Sequence, residues 1–159
     1  MTPRIDIAVD AGAWPDKRRL RTIARRAVAA GFAAGDLCCA DGSELSLLCT
    51  DDARMRSVNR RWRGIDKPTN VLSFPGGAAA PGATAGPVLG DIVLSQETIA
   101  REAALDGKPF EHHLTHMIVH GLLHLFGYDH MDDGGAREME TIERRALASL
   151  GIDDPYAGH

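Results

Sequence analysis

Six of the seven histidines lie between His112 and His130, and the last three stand in the string His120-Gly-Leu-Leu-His124-Leu-Phe-Gly127-Tyr-Asp-His130. On an α-helix of about 3.6 residues per turn, positions four apart face nearly the same side, so His120 and His124 can present two imidazoles to one ion. Gly127 suits the left-handed turn that stops a helix, and that reversal can bring His130 back beside the first two. Three neutral imidazoles with a fourth position left to water are the donor set of a catalytic zinc site, whereas structural zinc sites are usually closed by four protein ligands, mostly thiolates. Zinc so held lowers the pKa of its water to about 7 and polarises a phosphoryl oxygen. The spacing therefore predicts one Zn2+ per chain, at the end of a helix and the turn after it.

The histidine ladder allows other groupings. His112, His116, His120 and His124 are each four apart, but a rise of about 1.5 Å per residue separates His116 from His124 by roughly 12 Å along the axis, too far for one ion. A His116–His120 pair remains open. A third ligand arriving after Gly127 lies closest to His124, so the set of His120, His124 and His130 is preferred. For His112, His113 and His159 the expected role is that of ordinary histidines that hydrogen-bond at the surface or in the core.

The elements that must position these groups can be read from the periods. Ile5, Ile7 and Val9 alternate with polar residues as a first strand, and Trp14-Pro15-Asp16 opens a helix through about Phe32 with Leu20, Ile23, Ala24, Ala27 and Val28 inward. Glu44 to Thr50 reads as a second strand. Asp51 or Asp52 caps a helix with the apolar stripe Met55, Val58 and Trp62, ending near Arg63-Gly64. Residues 71–74 and 91–95 are short apolar strands, and the glycine-, alanine- and proline-rich stretch between them is expected to be a mobile loop. Helices follow over about 96–105, 110–126 and 135–150. The fold class this predicts is α+β, close to an α/β sandwich: a single domain over residues 1–159, with a four-stranded mixed sheet and about five helices.

A chain of 159 residues, 44% hydrophobic and 25% charged, is long enough to bury its own core without staples. It contains no run of about 18 apolar residues and no charged-apolar-small leader, so neither a membrane span nor a secretory signal is expected, and the expected address is the cytoplasm. Cys38, Cys39 and Cys49 show no CxxC spacing and are read as buried reduced thiols. The net charge of -4 conceals an asymmetry: Lys17 to Lys67 holds twelve basic and six acidic residues, Asp91 to His159 five basic and thirteen acidic. A basic face beside an acidic one is compatible with a nucleic-acid partner. Arg18, Arg19, Arg21, Arg25 and Arg26 serve equally well as the solvated side of an amphipathic helix.

The histidine string, preceded by Arg63-Gly-Ile-Asp-Lys67-Pro-Thr-Asn70-Val-Leu-Ser-Phe74-Pro and by Leu89-Gly-Asp91-Ile, resembles the YbeY family of metal-dependent endoribonucleases that mature ribosomal RNA. Three motifs occur in the family's order across most of the chain; Ile65 and the glycine-alanine stretch after Phe74 depart from the pattern. The resemblance implies a single-strand RNA endonuclease acting at the 3′ end of small-subunit ribosomal RNA and in ribosome quality control. Its expected partners are single-stranded RNA, ribosomal RNA or the small ribosomal subunit, and a ribosome-associated protein. The resemblance also implies zinc on His120, His124 and His130, and a functional arginine at Arg63.

Phosphodiester cleavage builds negative charge, which an always-charged guanidinium meets with a planar fork. Either water or the RNA 2′-hydroxyl can attack. Lys67 is a candidate phosphate contact or a solvated loop lysine, and Asp129 and Asp91 are candidates for orienting an imidazole or moving a proton, with Asp129 equally a turn residue. Two other classes compete. His120, His124, Gly127 and His130 also satisfy the HxxxHxxGxxH spacing of the metzincin peptidases, but those carry a glutamate after the first histidine where this chain has Gly121. The third reading is a noncatalytic ribosome-assembly factor braced by a structural metal.

Overall fold

The computed structural model describes residues 2–77, 81–129 and 131–157. Strand β1 (Arg4–Val9) leads to helix α1 (Lys17–Gly35), whose start is set by Asp16: its carboxylate accepts from the Arg19 amide at 2.9 Å, satisfying one orphan donor of the first turn. The inward stripe from Leu20 to Val28 is buried as its period required. After the two-residue strand β2 (Cys38–Cys39) and strand β3 (Glu44–Thr50), Asp51 caps helix α2 (Asp52–Arg63), and Gly64 ends it at φ 71°. Strands β4 (Val71–Pro75), β5 (Thr84–Ala85) and β6 (Val88–Ser95) follow, then helices α3 (Gln96–Leu105), α4 (Phe110–Leu125) and α5 (Asp133–Ser149).

The main sheet has the order β1-β3-β6-β4. Its first three strands are parallel and β4 runs antiparallel to β6 at one edge, so the sheet is mixed. A parallel pair needs a crossover, which α1 supplies between β1 and β3; the antiparallel pair β4–β6 needs no helix, and its connection carries only the two-residue strand β5. Both sheet faces are covered, which is why β6 reads as a near-continuous apolar run. Leu45, Leu47, Ile92 and Leu94 join the large core with α1, α4 and α5, while Leu72 and Val93 face Met55 of α2 on the other side. Helix α4 lies deepest: Leu114, Ile118, Val119, Leu122 and Leu123 are almost wholly buried. Each such side chain contributes roughly 2 kcal/mol on burial, and together they hold the backbone that carries the histidines.

Three expectations need correction. The stretch after Phe74 is partly ordered: Thr84–Ala85 pair in parallel with Cys38–Cys39, and the Gly76 amide donates to the Leu89 carbonyl at 2.9 Å. Cys38 is exposed, whereas Cys39 next to it is half-buried against the core; only Cys49 is the buried thiol expected. Trp62 stands on the inward stripe of α2 yet is exposed, with Phe74 of the edge strand against its ring. Among the described residues no helix is long and apolar enough to cross a membrane.

Candidate active site

Helix α4 sets His120 and His124 one turn apart on the face turned to solvent, with their Nε2 atoms 3.1 Å from each other. The other nitrogen of His120, Nδ1, donates to Glu143 Oε1 at 2.7 Å. That bond assigns the tautomer, because a neutral imidazole with its proton on Nδ1 keeps a lone pair on Nε2. Two ring nitrogens aimed at each other at 3.1 Å cannot both carry protons. The pair suits one shared proton or one shared cation, and His-His is a donor set that zinc accepts. Gly127 has φ 88°, and the amides of Gly127 and Tyr128 donate back to the carbonyls of His124 and Leu123, each at 3.1 Å, so the helix stops and reverses as its sequence required. His130, the third expected ligand, lies outside the described residues; its chain neighbours Asp129 and Met131 both line the cleft over the histidine pair.

Glu143 is the residue that sequence reasoning missed. It comes from α5, is wholly buried, and accepts from His116 Nε2 at 3.1 Å and His120 Nδ1 at 2.7 Å on one oxygen, and from the Tyr156 hydroxyl at 2.6 Å on the other. Burial alone would raise its pKa, but the hydrogen bonds from His116 and His120 outweigh it and hold the carboxyl down at about 2. A signal was present: Met139, Ile142, Glu143, Ala146 and Leu147 form the buried stripe of α5, and a carboxylate on such a stripe needs partners. His116, His120 and Glu143 also place ligand atoms within 4.8 Å of one another, so this group could itself hold an ion. The 2.7 Å separation of His120 and Glu143 is that of a direct hydrogen bond, however, which favours a carboxylate orienting an imidazole whose other nitrogen faces the cleft.

The cleft, about 450 Å³, is lined by His120 and His124 together with Arg63, Asn70 and Ser73, and by Asp129 from the turn. Arg63 is the last residue of α2, and β4 brings its motif against α4: the Ser73 hydroxyl donates to the Gly121 carbonyl at 2.8 Å. Asn70 is fixed by Glu102, whose carboxylate accepts from Asn70 Nδ2 at 3.0 Å and His113 Nε2 at 2.8 Å. Lys67 lines an adjoining cavity that shares Arg63, Thr69 and Asn70 with the cleft. Asp91 is exposed on β6 and stays outside the cleft, and the Asp129 Oδ1 accepts from the Met131 amide at 3.1 Å, so the turn role and the cleft position coincide in one residue. His112 lies in a separate groove with Arg19 and Glu111, as an ordinary histidine should. The acidic third of the chain is not remote from the site, since both Asp129 and Glu143 belong to it.

Gly121 has a packing reason. A Cβ there would stand 2.9 Å from Ile92 Cγ2 and 3.1 Å from Ser73 Oγ, so the glutamate of the peptidase motif could enter only if the packing of these side chains shifted.

A family model described as Endoribonuclease YbeY matches residues 10–151. The chain belongs to the Endoribonuclease YbeY family. It is 52% identical over 157 residues to Endoribonuclease YbeY of Rhizobium meliloti, covering 96% of this chain and 94% of the relative. It is 50% identical over 156 residues to that of Methylocella silvestris, covering 98% and 87%. A solution structure from Thermotoga maritima shares the fold at a TM-score of 0.57 and 20% identity, covering 98% of this chain and 99% of that one. In this YbeY member, the two motifs separated along the chain line one cleft.

Proposed function

We propose that this endoribonuclease cuts single-stranded RNA, acting in the cytoplasm on the 3′ end of small-subunit ribosomal RNA and in ribosome quality control, as one catalytic domain over the whole chain. Its substrate is ribosomal RNA or the small subunit, presented with a ribosome-associated protein. The observation that carries the reading is that Arg63 lines the same cleft as His120 and His124. One zinc would be held by His120, His124 and His130. When bound, zinc supplies a Lewis acid and acidifies a water to a pKa of about 7. Glu143 keeps the lone pair of His120 turned to the cleft. Arg63 offers its fork to the phosphate oxygens as charge builds on them, and Asp129 is the cleft carboxylate placed to move a proton, whether water or the 2′-hydroxyl attacks. Asn70, fixed by Glu102, supplies a polar wall for the sugar-phosphate chain.

The test is incubation of the purified protein with single-stranded RNA, duplex RNA and a peptide library, with and without chelator. Single strands should be cut, duplex and peptides spared, and chelation should stop cleavage with the fold largely kept. Cut peptides beside intact RNA would establish the peptidase instead, and loss of the fold on chelation without any RNA cleavage would establish a structural metal.

Glu143→Gln should raise the zinc dissociation constant about 10–100-fold, because an amide no longer fixes both imidazoles. Chelator competition measures this directly, and an unchanged constant would remove Glu143 from the site.

A further inference from the structure

The inward stripe of α2 ends on a side chain that the protein leaves in water. Met55 is sealed and Val58 half-buried, but Trp62, which meets the edge strand β4 only at its outer end, is 65% exposed. The indole is nevertheless held in place. The ring of Phe74 meets it edge to face, with centroids 5.8 Å apart, and the Arg61 guanidinium lies over it at 5.7 Å. Its neighbours tie it to the cleft: Arg63 follows it in the chain, and Phe74 follows Ser73, both of which line the cleft wall. Its surroundings are cationic. Arg54 and Arg56 are paired with Asp10 and Asp66, whereas among the described residues Arg60, Arg61 and Arg63 make no ion pair.

We propose that Trp62 is a stacking platform for an unpaired nucleobase of the RNA strand just outside the cleft, with Arg60 and Arg61 meeting the phosphates on either side of that base. The inference rests on the endoribonuclease reading above. A pre-ordered aromatic face beside guanidinium groups that make no close ion pair complements a chain that alternates π-faces with negative charges. An apolar protein partner would leave those charges uncompensated. The platform also selects for single strands, because the bases of a duplex are already stacked on one another and present only edges. Every base has a π-face, so Trp62 adds affinity with little sequence preference.

The experiment compares wild type, Trp62→Ala and Trp62→Phe on single-stranded oligoadenylate and on the same oligomer with one abasic unit moved along it. Trp62→Ala should lower kcat/KM about tenfold, with the loss in KM, and Trp62→Phe should recover most of it. With the abasic unit at the stacking position, wild type should lose a similar factor and Trp62→Ala should lose little more, since both changes remove the same contact. Oligoadenylate should quench indole fluorescence in wild type far more than in Trp62→Phe, which retains only Trp14. Wild-type KM in Trp62→Ala, beside a wild type that cleaves, would overturn this proposal alone. A wild type that neither binds nor cleaves oligoadenylate would overturn the endoribonuclease reading and this proposal with it.

Discussion

Replacing His124 with alanine should abolish high-affinity zinc binding and RNA cleavage together, whereas His112→Ala should keep both. His124 is half-buried at the cleft, and its Nε2 converges with that of His120. Removing it would leave the proposed ligand set two imidazoles, and the loss should exceed the roughly 10–100-fold seen when only a ligand's hydrogen-bonding partner is removed. The helix itself should survive, because alanine is the best helix former and the core side chains of α4 lie on its other faces. Metal analysis after dialysis, beside circular dichroism, measures both halves. Full zinc occupancy in folded His124→Ala protein would sink the assignment.

The second large effect should come from Arg63→Lys. Both side chains are cations, so long-range attraction of RNA should persist, and with it most of the substrate affinity. The difference is geometric: guanidinium donates two parallel N–H groups to two phosphate oxygens, an ammonium only one at a time. Arg63 is exposed before substrate binds, but an RNA strand filling the cleft excludes water from the contact and strengthens it. Loss of one such transition-state donor costs about 10²–10³ in kcat, or about 3 kcal/mol. Single-turnover cleavage should fall by that factor with the fold intact. Cleavage at the wild-type rate would take Arg63 out of the mechanism.

Much of this was legible because helices and strands are local. The caps at Asp16 and Asp51, the stop at Gly127 and the spacing of His120 and His124 each depend on residues within a turn or two. The mixed sheet was legible as well, since alternating runs separated by a helical stripe allow few arrangements. Gly121 told against the peptidase by what it lacks, although its reason, the closeness of Ile92 and Ser73, belongs to the packed helix and sheet.

What the sequence determined by itself was therefore the inventory and the local geometry: two imidazoles on one helical face, a basic motif ending α2, and a core large enough to fix them. The tertiary structure decided which of these groups meet. Glu143 reaches His120 across 23 positions of chain because α5 packs beside α4, and no period within either helix encodes that contact. Arg63 shares a cleft with the histidines because β4 takes the sheet edge and packs on α4, an outcome of strand order and not of spacing. Trp62 shows the same division: period 3.6 puts it on the inward face of α2, but only the packed structure decides how much covers it, and there it meets Phe74 of the edge strand and is otherwise left in water.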